Sequence, residues 1–332
     1  MNKIQIFLLI IITIQMAKSQ ENKTFYRCGV DKYYVAPLPA KNVVKFDKDN
    51  RRLNDGEFKD FHIYLDLINI KKDIQKYHLE QYENLFINAL NKAVKTLETL
   101  LKVKKLNDGY KFSDEGITNI LIEDWNKSMI GTNASDSKTL GIDLFIFGRL
   151  DDNMDNFTLA SAGPRYLEET TGQPLVGVVN INTKVNYSKI NSQEYFQSII
   201  IHELTHVLGF LNSHFTDYYH NVFSMVDENG INRTYINSSN VLKVAKKYYN
   251  CSDISGVELE EYGGEGTVGS HWEARILLGD YMNGVIYPAE QVISEFTLAL
   301  LEDTGYYKAN YYTGGLMRYG KGKGCDFIKK NV

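Results

Sequence analysis

The sequence feature that most constrains the fold of this chain is an apolar stretch over residues 199–210 that carries His202, Glu203 and His206. Residues four apart on an α-helix return to within about 40° of one another, so the two imidazoles project from one face and can reach one cation together. Glu203 lies next to the first histidine, at the edge of that face. The HExxH arrangement therefore predicts two metal ligands and a carboxylate that handles the proton of a metal-activated water.

The residues around this motif predict a buried helix with one functional side. Asn191 and Glu194 are expected to form an N-cap pair, and Gly209 suits a C-terminal cap. The stretch between them is apolar nearly all round, which indicates that only the histidine side faces a cleft. The alternative interpretation is that both histidines are satisfied within a core helix and that the motif is accidental.

The start of the chain predicts export. Lys3, the apolar run 4–16 and the small residues up to Ser19 have the organisation of a secretory signal peptide over residues 1–19. No later segment has the pattern of a transmembrane helix, and the last residues lack the apolar tail of a GPI signal. A secreted protein is therefore expected. Eight Asn-x-Ser/Thr sequons are consistent with a glycoprotein, and they begin at Asn22, Asn126, Asn133, Asn156, Asn186, Asn232, Asn237 and Asn250.

The charge and the length of the chain limit its class of function. The net charge is −4 and the sequence has no basic cluster, so a nucleic-acid partner is not expected. A chain of 332 residues can bury a sizeable core, either as one large domain or as two lobes. A monomer is expected.

Apolar periodicity predicts a mixed sheet with helices packed on it. Residues 20–56 are interpreted as a polar leader outside the packed core. The strand at 177–182, just before the metal helix, is a candidate for lining a cleft and pairing with an extended substrate. Strands are predicted over 61–67, 119–122, 142–147 and 175–182, and helices over 79–103, 239–249 and 292–303.

Three histidines that follow the motif are candidates for a third metal ligand. His214 and His220 are close in sequence, in or next to a polar and aromatic loop. His271 is distant and follows a glycine-rich passage, 263–269, which can approach another backbone closely and deliver a side chain into a cleft. A turn is predicted further on, beginning at Met282.

The HExxHxxG motif, the Ser-His-Trp-Glu segment around His271 and the methionine turn at Met282 together resemble the leishmanolysin family of metzincin zinc peptidases. In most metzincins the third histidine follows the glycine by three residues, and that position is Asn212 here. The leishmanolysin-like form inserts a long segment instead, which fits the 65 positions from His206 to His271. Met282 lies eleven positions beyond His271, where the family's methionine turn is expected. The resemblance is dense from about residue 192 to residue 327.

The resemblance implies an α+β, zincin/metzincin-like fold. A mixed twisted sheet, a buried active-site helix and a mostly helical or irregular C-terminal lobe are expected. The implied organisation is a signal peptide at 1–19, a propeptide-like leader at 20–57, an N-terminal catalytic lobe at 58–210 that ends in the HExxH helix, and a C-terminal catalytic lobe at 211–332. The family usually has a longer propeptide and a further cysteine-rich C-terminal domain, and the sequence departs from it in both respects.

The resemblance also implies roles for the site residues. His202, His206 and His271 are expected to hold one Zn²⁺ per chain, with Glu203 as the catalytic general base and Met282 as the apolar floor beneath the imidazoles. The implied function is a secreted zinc-dependent endopeptidase that acts on proteins or peptides. The main alternative is a catalytically weak or inactive metal-binding surface or adhesion glycoprotein of the same fold. Two further alternatives are a zinc hydrolase of another class, which would not need the spacing from His271 to Met282, and a purely structural glycoprotein without zinc.

The chain has three cysteines, Cys28, Cys251 and Cys325. In an oxidising compartment an odd count implies one disulfide and one remaining thiol. The resemblance implies that Cys251 pairs with Cys325, which leaves Cys28 outside the disulfide. Cys28 is then either a cysteine switch, in which a propeptide thiolate occupies a zinc position and keeps a zymogen latent, or a free or intermolecular thiol in a disordered leader.

Overall fold

The computed structural model describes the chain in several stretches. They are residues 26–28, 43–45, 58–106, 110–112, 141–168, 171–190, 192–227, 230–262, 267–286, 291–313 and 315–329. The predicted signal peptide at 1–19, the strand predicted over 119–122 and the expected cap residue Asn191 lie outside the described residues.

The described residues include fourteen strands and eight α-helices, besides short 3₁₀- and π-helical turns. The strands are β1 (Tyr26–Arg27), β2 (Val43–Lys45), β3 (Phe58–Asp60), β4 (Ile63–Asp66), β5 (Leu101–Lys104), β6 (Tyr110–Phe112), β7 (Leu144–Asp151), β8 (Ala160–Leu167), β9 (Pro174–Asn182), β10 (Val222–Val226), β11 (Asn232–Ile236), β12 (Val257–Glu258), β13 (Val285–Ile286) and β14 (Tyr307–Ala309). The helices are α1 (Ile68–Lys76), α2 (Glu83–Leu100), α3 (Gln193–Val207), α4 (Asn212–His214), α5 (Ser239–Tyr249), α6 (Ala274–Leu277), α7 (Glu295–Asp303) and α8 (Cys325–Lys329). None of these helices is long and apolar enough to cross a lipid bilayer.

The sheet that supports the site has the strand order β4-β7-β9-β8. Strands β4, β7 and β9 are parallel, and β8 runs antiparallel to β9. This mixed sheet, with helices packed on it, confirms the predicted α+β class. Strand β9 is paired along both sides, so the segment at 177–182 has no open edge for a substrate strand. The edge next to it belongs to β8, which the sequence analysis did not predict.

The long helix predicted over 79–103 ends earlier than its apolar pattern suggested. Helix α2 stops at Leu100, and the next four residues form β5, which pairs with β3 and β14. The reason is a change of period, because Leu101 and Val103 are buried while the lysines that follow each of them point outward. Alternation with a period of two is the pattern of a half-buried strand.

Helix α3 is buried along most of its length, as predicted. Its N-cap is Ser192, one residue later than expected, and the Ser192 Oγ accepts a hydrogen bond from the Tyr195 N–H at 3.0 Å. Beyond its last residue, Val207, the chain turns at Gly209, which has a φ of 111°. The helix packs on α2 and against β8 and β9. This packing fixes the position of the helix, and with it that of the motif histidines.

The described part of the C-terminal lobe is mostly helical or irregular, as expected, and it also contains a small sheet. Strands β10, β11 and β12 form an antiparallel sheet. Helix α5 has the predicted bounds, and its first N–H groups donate to the carboxylate of Asp303 at the end of α7. Cys251 and Cys325 form a disulfide, with Cα atoms 5.0 Å apart, that ties the end of α5 to α8.

Candidate metal centre

Three histidines meet at a buried point beside α3. His202 and His206 project from one face of the helix, and His271 approaches from the segment after β12. The Nε2 atom of His202 lies 3.1 Å from the Nε2 atoms of both His206 and His271. All three side chains are fully buried. The structure therefore brings together the three residues that the sequence singled out as ligands.

Backbone pairing fixes the segment that carries His271. The N–H of Glu260 donates to the His271 carbonyl at 2.8 Å, and the neighbouring Trp272 bridges both Leu259 and Asn283. The glycine-rich passage before it lies partly outside the described residues, but Gly269 has the positive φ of 77° that the tight approach requires. Main-chain hydrogen bonds therefore fix the position of His271, although it lies 65 positions after His206 in the sequence.

Each of the three imidazoles is oriented by a main-chain carbonyl. The Nδ1 atom of His202 lies 2.6 Å from the Tyr281 oxygen, that of His206 lies 2.7 Å from the Phe210 oxygen, and that of His271 lies 2.8 Å from the Thr267 oxygen. A carbonyl only accepts, so each Nδ1 carries the proton and donates it. The three Nε2 lone pairs therefore point at one another. No sequence pattern reveals these carbonyls, because every residue has one and only the fold selects which of them faces a ring.

The donor set fits a zinc ion. Lone pairs that face each other at 3.1 Å repel unless a cation lies between them. Nitrogen ligands about 2.0–2.1 Å from a tetrahedral zinc lie roughly 3.3 Å apart, close to the observed separation. Burial lowers the pKa of His202 to about 4 and that of His271 to about 3, and it also lowers the pKa of His206. The rings are therefore neutral near pH 7, as metal ligands must be.

Glu203 lies against the same cluster and is fully buried. Burial raises the pKa of its carboxyl to about 8, although hydrogen bonds from Cys28 and from the backbone of Ala162 oppose the shift. Its Oε1 atom has no hydrogen-bond partner among the described residues. Ala162 belongs to the edge strand β8, so the carboxyl lies next to that strand.

The leader residue Cys28 is part of this site and is 1% exposed. Its Sγ atom lies 3.3 Å from the His206 Nε2 and 3.6 Å from the Glu203 Oε2. The two residues before it form β1, in which Tyr26 pairs with Ile286 of β13. The expectation that this part of the leader lies outside the packed core is therefore wrong. The sulfur and one ring nitrogen from each of the three histidines lie within 4.8 Å of one another.

Met282 is fully buried next to the residue whose carbonyl orients His202. Its N–H donates to the Asp280 carboxylate at 2.6 Å, and its carbonyl accepts from the Trp272 N–H at 2.9 Å. The Asp280 carboxylate also accepts from the hydroxyls of Ser294 and Thr297, so the start of α7 holds the methionine turn.

The two histidines nearest the motif in sequence do not join the cluster. His214 is neither near the metal ligands nor exposed, which are the two places expected for it. It is buried, and its Nε2 atom lies 3.2 Å from the Tyr306 hydroxyl. His220 is exposed, with a φ of 50°. Burial under neighbouring aromatic rings explains His214, and the sequence gives no sign of it.

A second cluster of acidic residues lies next to the segment that carries His271. It consists of Glu258, Glu261 and Glu273. Glu258 is bonded by both Arg233 and Arg275, and Arg233 also bonds Glu261. The Glu273 N–H donates to the Glu258 carbonyl at 3.1 Å. This ion-pair network joins β11 and β12 to the segment that carries the third histidine.

Comparisons with known proteins agree with this geometry. A family model described as leishmanolysin matches residues 80–332. A "Leishmanolysin homolog" from Crithidia fasciculata is 38% identical over 157 residues, which cover 47% of this chain and 23% of the relative. A "Leishmanolysin-like peptidase" from Drosophila melanogaster is 43% identical over 91 residues, or 27% of this chain and 13% of the relative. "Leishmanolysin" from Leishmania major is 30% identical over 162 residues, or 47% and 26%. The matched stretch is thus about a quarter or less of each relative's length.

Proposed function

Because the chain belongs to the leishmanolysin family of zinc metallopeptidases, we propose that it is an exported zinc-dependent endopeptidase. The observation that carries the proposal is the convergence of three buried Nε2 atoms, with that of His202 lying 3.1 Å from those of His206 and His271, beside a buried glutamate. His202, His206 and His271 would hold the ion, and the fourth position would be open once Cys28 leaves. Zinc, when bound, supplies Lewis acidity towards the scissile carbonyl and towards water.

Glu203 acts as the general base in this proposal. Its carboxylate takes the proton of the attacking water and later passes it to the leaving amine. A buried carboxyl whose pKa is raised towards neutrality suits both steps, since it must accept and release one proton near pH 7. Residues of α3 and β8 keep the group beside the histidines, and the outer edge of β8 offers backbone groups to an extended peptide.

The leader keeps the enzyme latent in this proposal. Strand β1 lies along β13, and Cys28 brings its sulfur to the histidines, at the place where water and substrate must enter. A zinc–sulfur bond of about 2.3 Å with nitrogens at about 2.0–2.1 Å places sulfur roughly 3.6 Å from each nitrogen, close to the 3.3 Å observed to His206. Residues 20–57 would then be a propeptide and residues 58–210 and 211–332 the two catalytic lobes, with Met282 as the apolar floor.

The test is casein cleavage by the purified protein with zinc present, before and after limited proteolysis of the leader. Wild type is expected to cleave casein, and Glu203→Ala is expected to lose at least about 100-fold in rate while it keeps one zinc per chain. An active Glu203→Ala protein would refute the general-base role. Zinc binding without any cleavage by wild type would favour the alternative, a metal-binding surface or adhesion glycoprotein.

A further inference from the structure

The described residues 308–313 and 315–323, called here the basic loop, include exposed large apolar side chains. Tyr312 is 99% exposed and Leu316 is 76% exposed, and they are the two most exposed large apolar side chains among the described residues. Tyr319, in the same loop, is 41% exposed. Three exposed large apolar side chains within eight positions of one segment are a concentration typical of sites that contact another phase or molecule.

The charge of the basic loop is opposite to that of the whole chain. Lys308, Arg318, Lys321 and Lys323 are all exposed, and no acidic residue occurs between Asp303 and Asp326. The chain as a whole has a net charge of −4. The cations are spaced along the loop and interleaved with the apolar residues, so they do not form the dense cluster typical of nucleic-acid binding.

The fold holds the C-terminal part of the basic loop in place. The N–H groups of Gly322 and Gly324 donate to the carbonyls of Tyr248 and Tyr249 at 2.9 and 2.8 Å. The Tyr248 hydroxyl donates to the Tyr319 carbonyl at 2.9 Å. Met317 is buried in the protein and holds the loop there, while the neighbouring Leu316 is exposed to solvent. An anchored loop cannot hide its exposed side chains by collapsing.

We propose that the basic loop binds the surface of an anionic lipid bilayer. Tyr312 and Leu316 enter the boundary between headgroups and acyl chains, where tyrosine places its ring in the apolar layer and its hydroxyl in water. The four cations meet the negative surface of the bilayer, and each adds to the attraction. The protein lies on the membrane without spanning it. An anionic lipid surface fits because exposed apolar and basic side chains are interleaved along this one segment, so a single partner must offer an apolar layer beside negative charge.

The experiment measures co-sedimentation of the full-length protein with two kinds of vesicle, phosphatidylcholine alone and a 7:3 mixture with phosphatidylserine. The protein is expected to bind the mixed vesicles roughly tenfold or more tightly, and to release as salt is raised. Tyr312→Ser/Leu316→Ser and Lys321→Glu/Lys323→Glu are each expected to weaken that binding by roughly tenfold or more. Casein cleavage is not needed for this readout, so it does not depend on the peptidase proposal.

Matched controls separate the loop from the rest of the surface. Phe157 is also exposed, at 58%, and Lys92 and Lys95 lie on the outer face of α2. Phe157→Ser and Lys92→Glu/Lys95→Glu are expected to bind as wild type does. The proposal is overturned if the loop variants bind like these controls, or if wild type ignores phosphatidylserine. It is also overturned if only the lysine pair matters, since that result would indicate a soluble polyanion or an acidic protein instead of a bilayer.

Discussion

At the scale of single residues, the two ring nitrogens of each clustered histidine have different roles. Each of the three clustered histidines donates its Nδ1 proton to a main-chain carbonyl, with 2.6 Å between the His202 Nδ1 and the Tyr281 oxygen. That hydrogen bond selects the tautomer whose Nε2 is a free ligand, and it also holds the ring at the right angle. A histidine placed on the same helix without such an acceptor would offer its lone pair in either of two directions. The carbonyls are therefore as much a part of the site as the imidazoles.

Cys28 gives the first residue-scale prediction. Its sulfur lies 3.3 Å from the His206 Nε2, so in the proposed enzyme its replacement would remove a group that competes with water for the ion. Unprocessed Cys28→Ala protein is expected to cleave casein at least about tenfold faster than unprocessed wild type, a difference of ~1.4 kcal/mol. Cys28→Ala/Glu203→Ala serves as the control and should stay inactive. Equal rates for unprocessed wild type and Cys28→Ala would contradict the latency role.

His214 gives a prediction about pH. Burial lowers its pKa from 6.5 to about 4, while the charge of Asp217 raises it; Tyr218, Tyr219 and Tyr306 surround the ring. As the pH falls, the unfolded chain therefore takes up this proton at a higher pH than the folded chain does. The contribution of neutral His214 to the free energy of unfolding is present above pH 6.5 and is lost as the pH falls towards 4. The free energy of unfolding of wild type is expected to fall by about 2 kcal/mol between pH 7 and pH 5 relative to His214→Gln.

Urea unfolding of both proteins at the two pH values measures this difference. The comparison between wild type and His214→Gln cancels the contributions of His202, His206 and His271, whose pKa values are also low. Parallel pH profiles for the two proteins would show that His214 is not neutral and buried.

At the scale of elements, local pattern predicted some boundaries and missed others for physical reasons. Helix α5 was predicted with its observed bounds, since its apolar stripe is set by neighbours within the helix. Strand β8 was missed because Gly163, Pro164 and Arg165 interrupt its pattern, and a register shift next to Arg165 accommodates them. The sequence pattern places Leu101 in the preceding helix, because the stretch with a period of two covers only four residues. Pairing with β3 and β14, which are distant in sequence, makes this stretch a strand.

In the candidate site, too, the residues set by local spacing are predictable from the sequence, and those set by distant pairing are not. His202 and His206 follow from spacing within one helix, which any reader of the sequence can count. His271 follows only from a family resemblance, because its approach depends on backbone pairing with Glu260 that no local pattern contains. The docking of Cys28 depends on a two-residue pairing of β1 with β13 and was left open by the sequence for that reason.

The contact between β9 and α3 gives a prediction at this scale. A Cβ atom at Gly177 would lie 2.2 Å from the Val207 Cγ1, so Gly177→Ala must push the helix from the sheet. The free energy of unfolding is expected to fall by about 1–3 kcal/mol, and zinc affinity should fall with it because the same helix carries two ligands. Gly148→Ala on β7 is the control, since its Cβ would meet neighbours at an ordinary 3.6 Å.

A second substitution identifies the cause. Gly177→Ala/Val207→Ala removes the atom that the new methyl group meets, so this double variant should recover zinc affinity relative to Gly177→Ala alone. No recovery would mean that the glycine is needed for some reason other than its distance from Val207. Chemical denaturation and a chelator-competition assay provide the two readouts.

At the scale of the whole molecule, the candidate site joins parts of the chain that are far apart in sequence. One helix supplies His202 and His206, a segment some 65 positions later supplies His271, and the leader supplies Cys28. A bound ion would therefore act as a cross-link between the sheet-packed helix and the C-terminal half. Cross-links of this kind stabilise the native state because the unfolded chain holds no preformed site.

Removal of the metal should therefore destabilise the protein globally. At a free zinc concentration about 1,000 times the Kd, binding adds ~4 kcal/mol to the free energy of unfolding, which corresponds to several degrees in Tm. A chelator is expected to lower the Tm of wild type by this amount, and added zinc should restore it. His271→Ala removes one ligand but leaves α3 intact, so its Tm should hardly respond to either addition. A chelator effect of equal size in wild type and His271→Ala would place the ion elsewhere in the molecule, and the three converging imidazoles would then need another explanation.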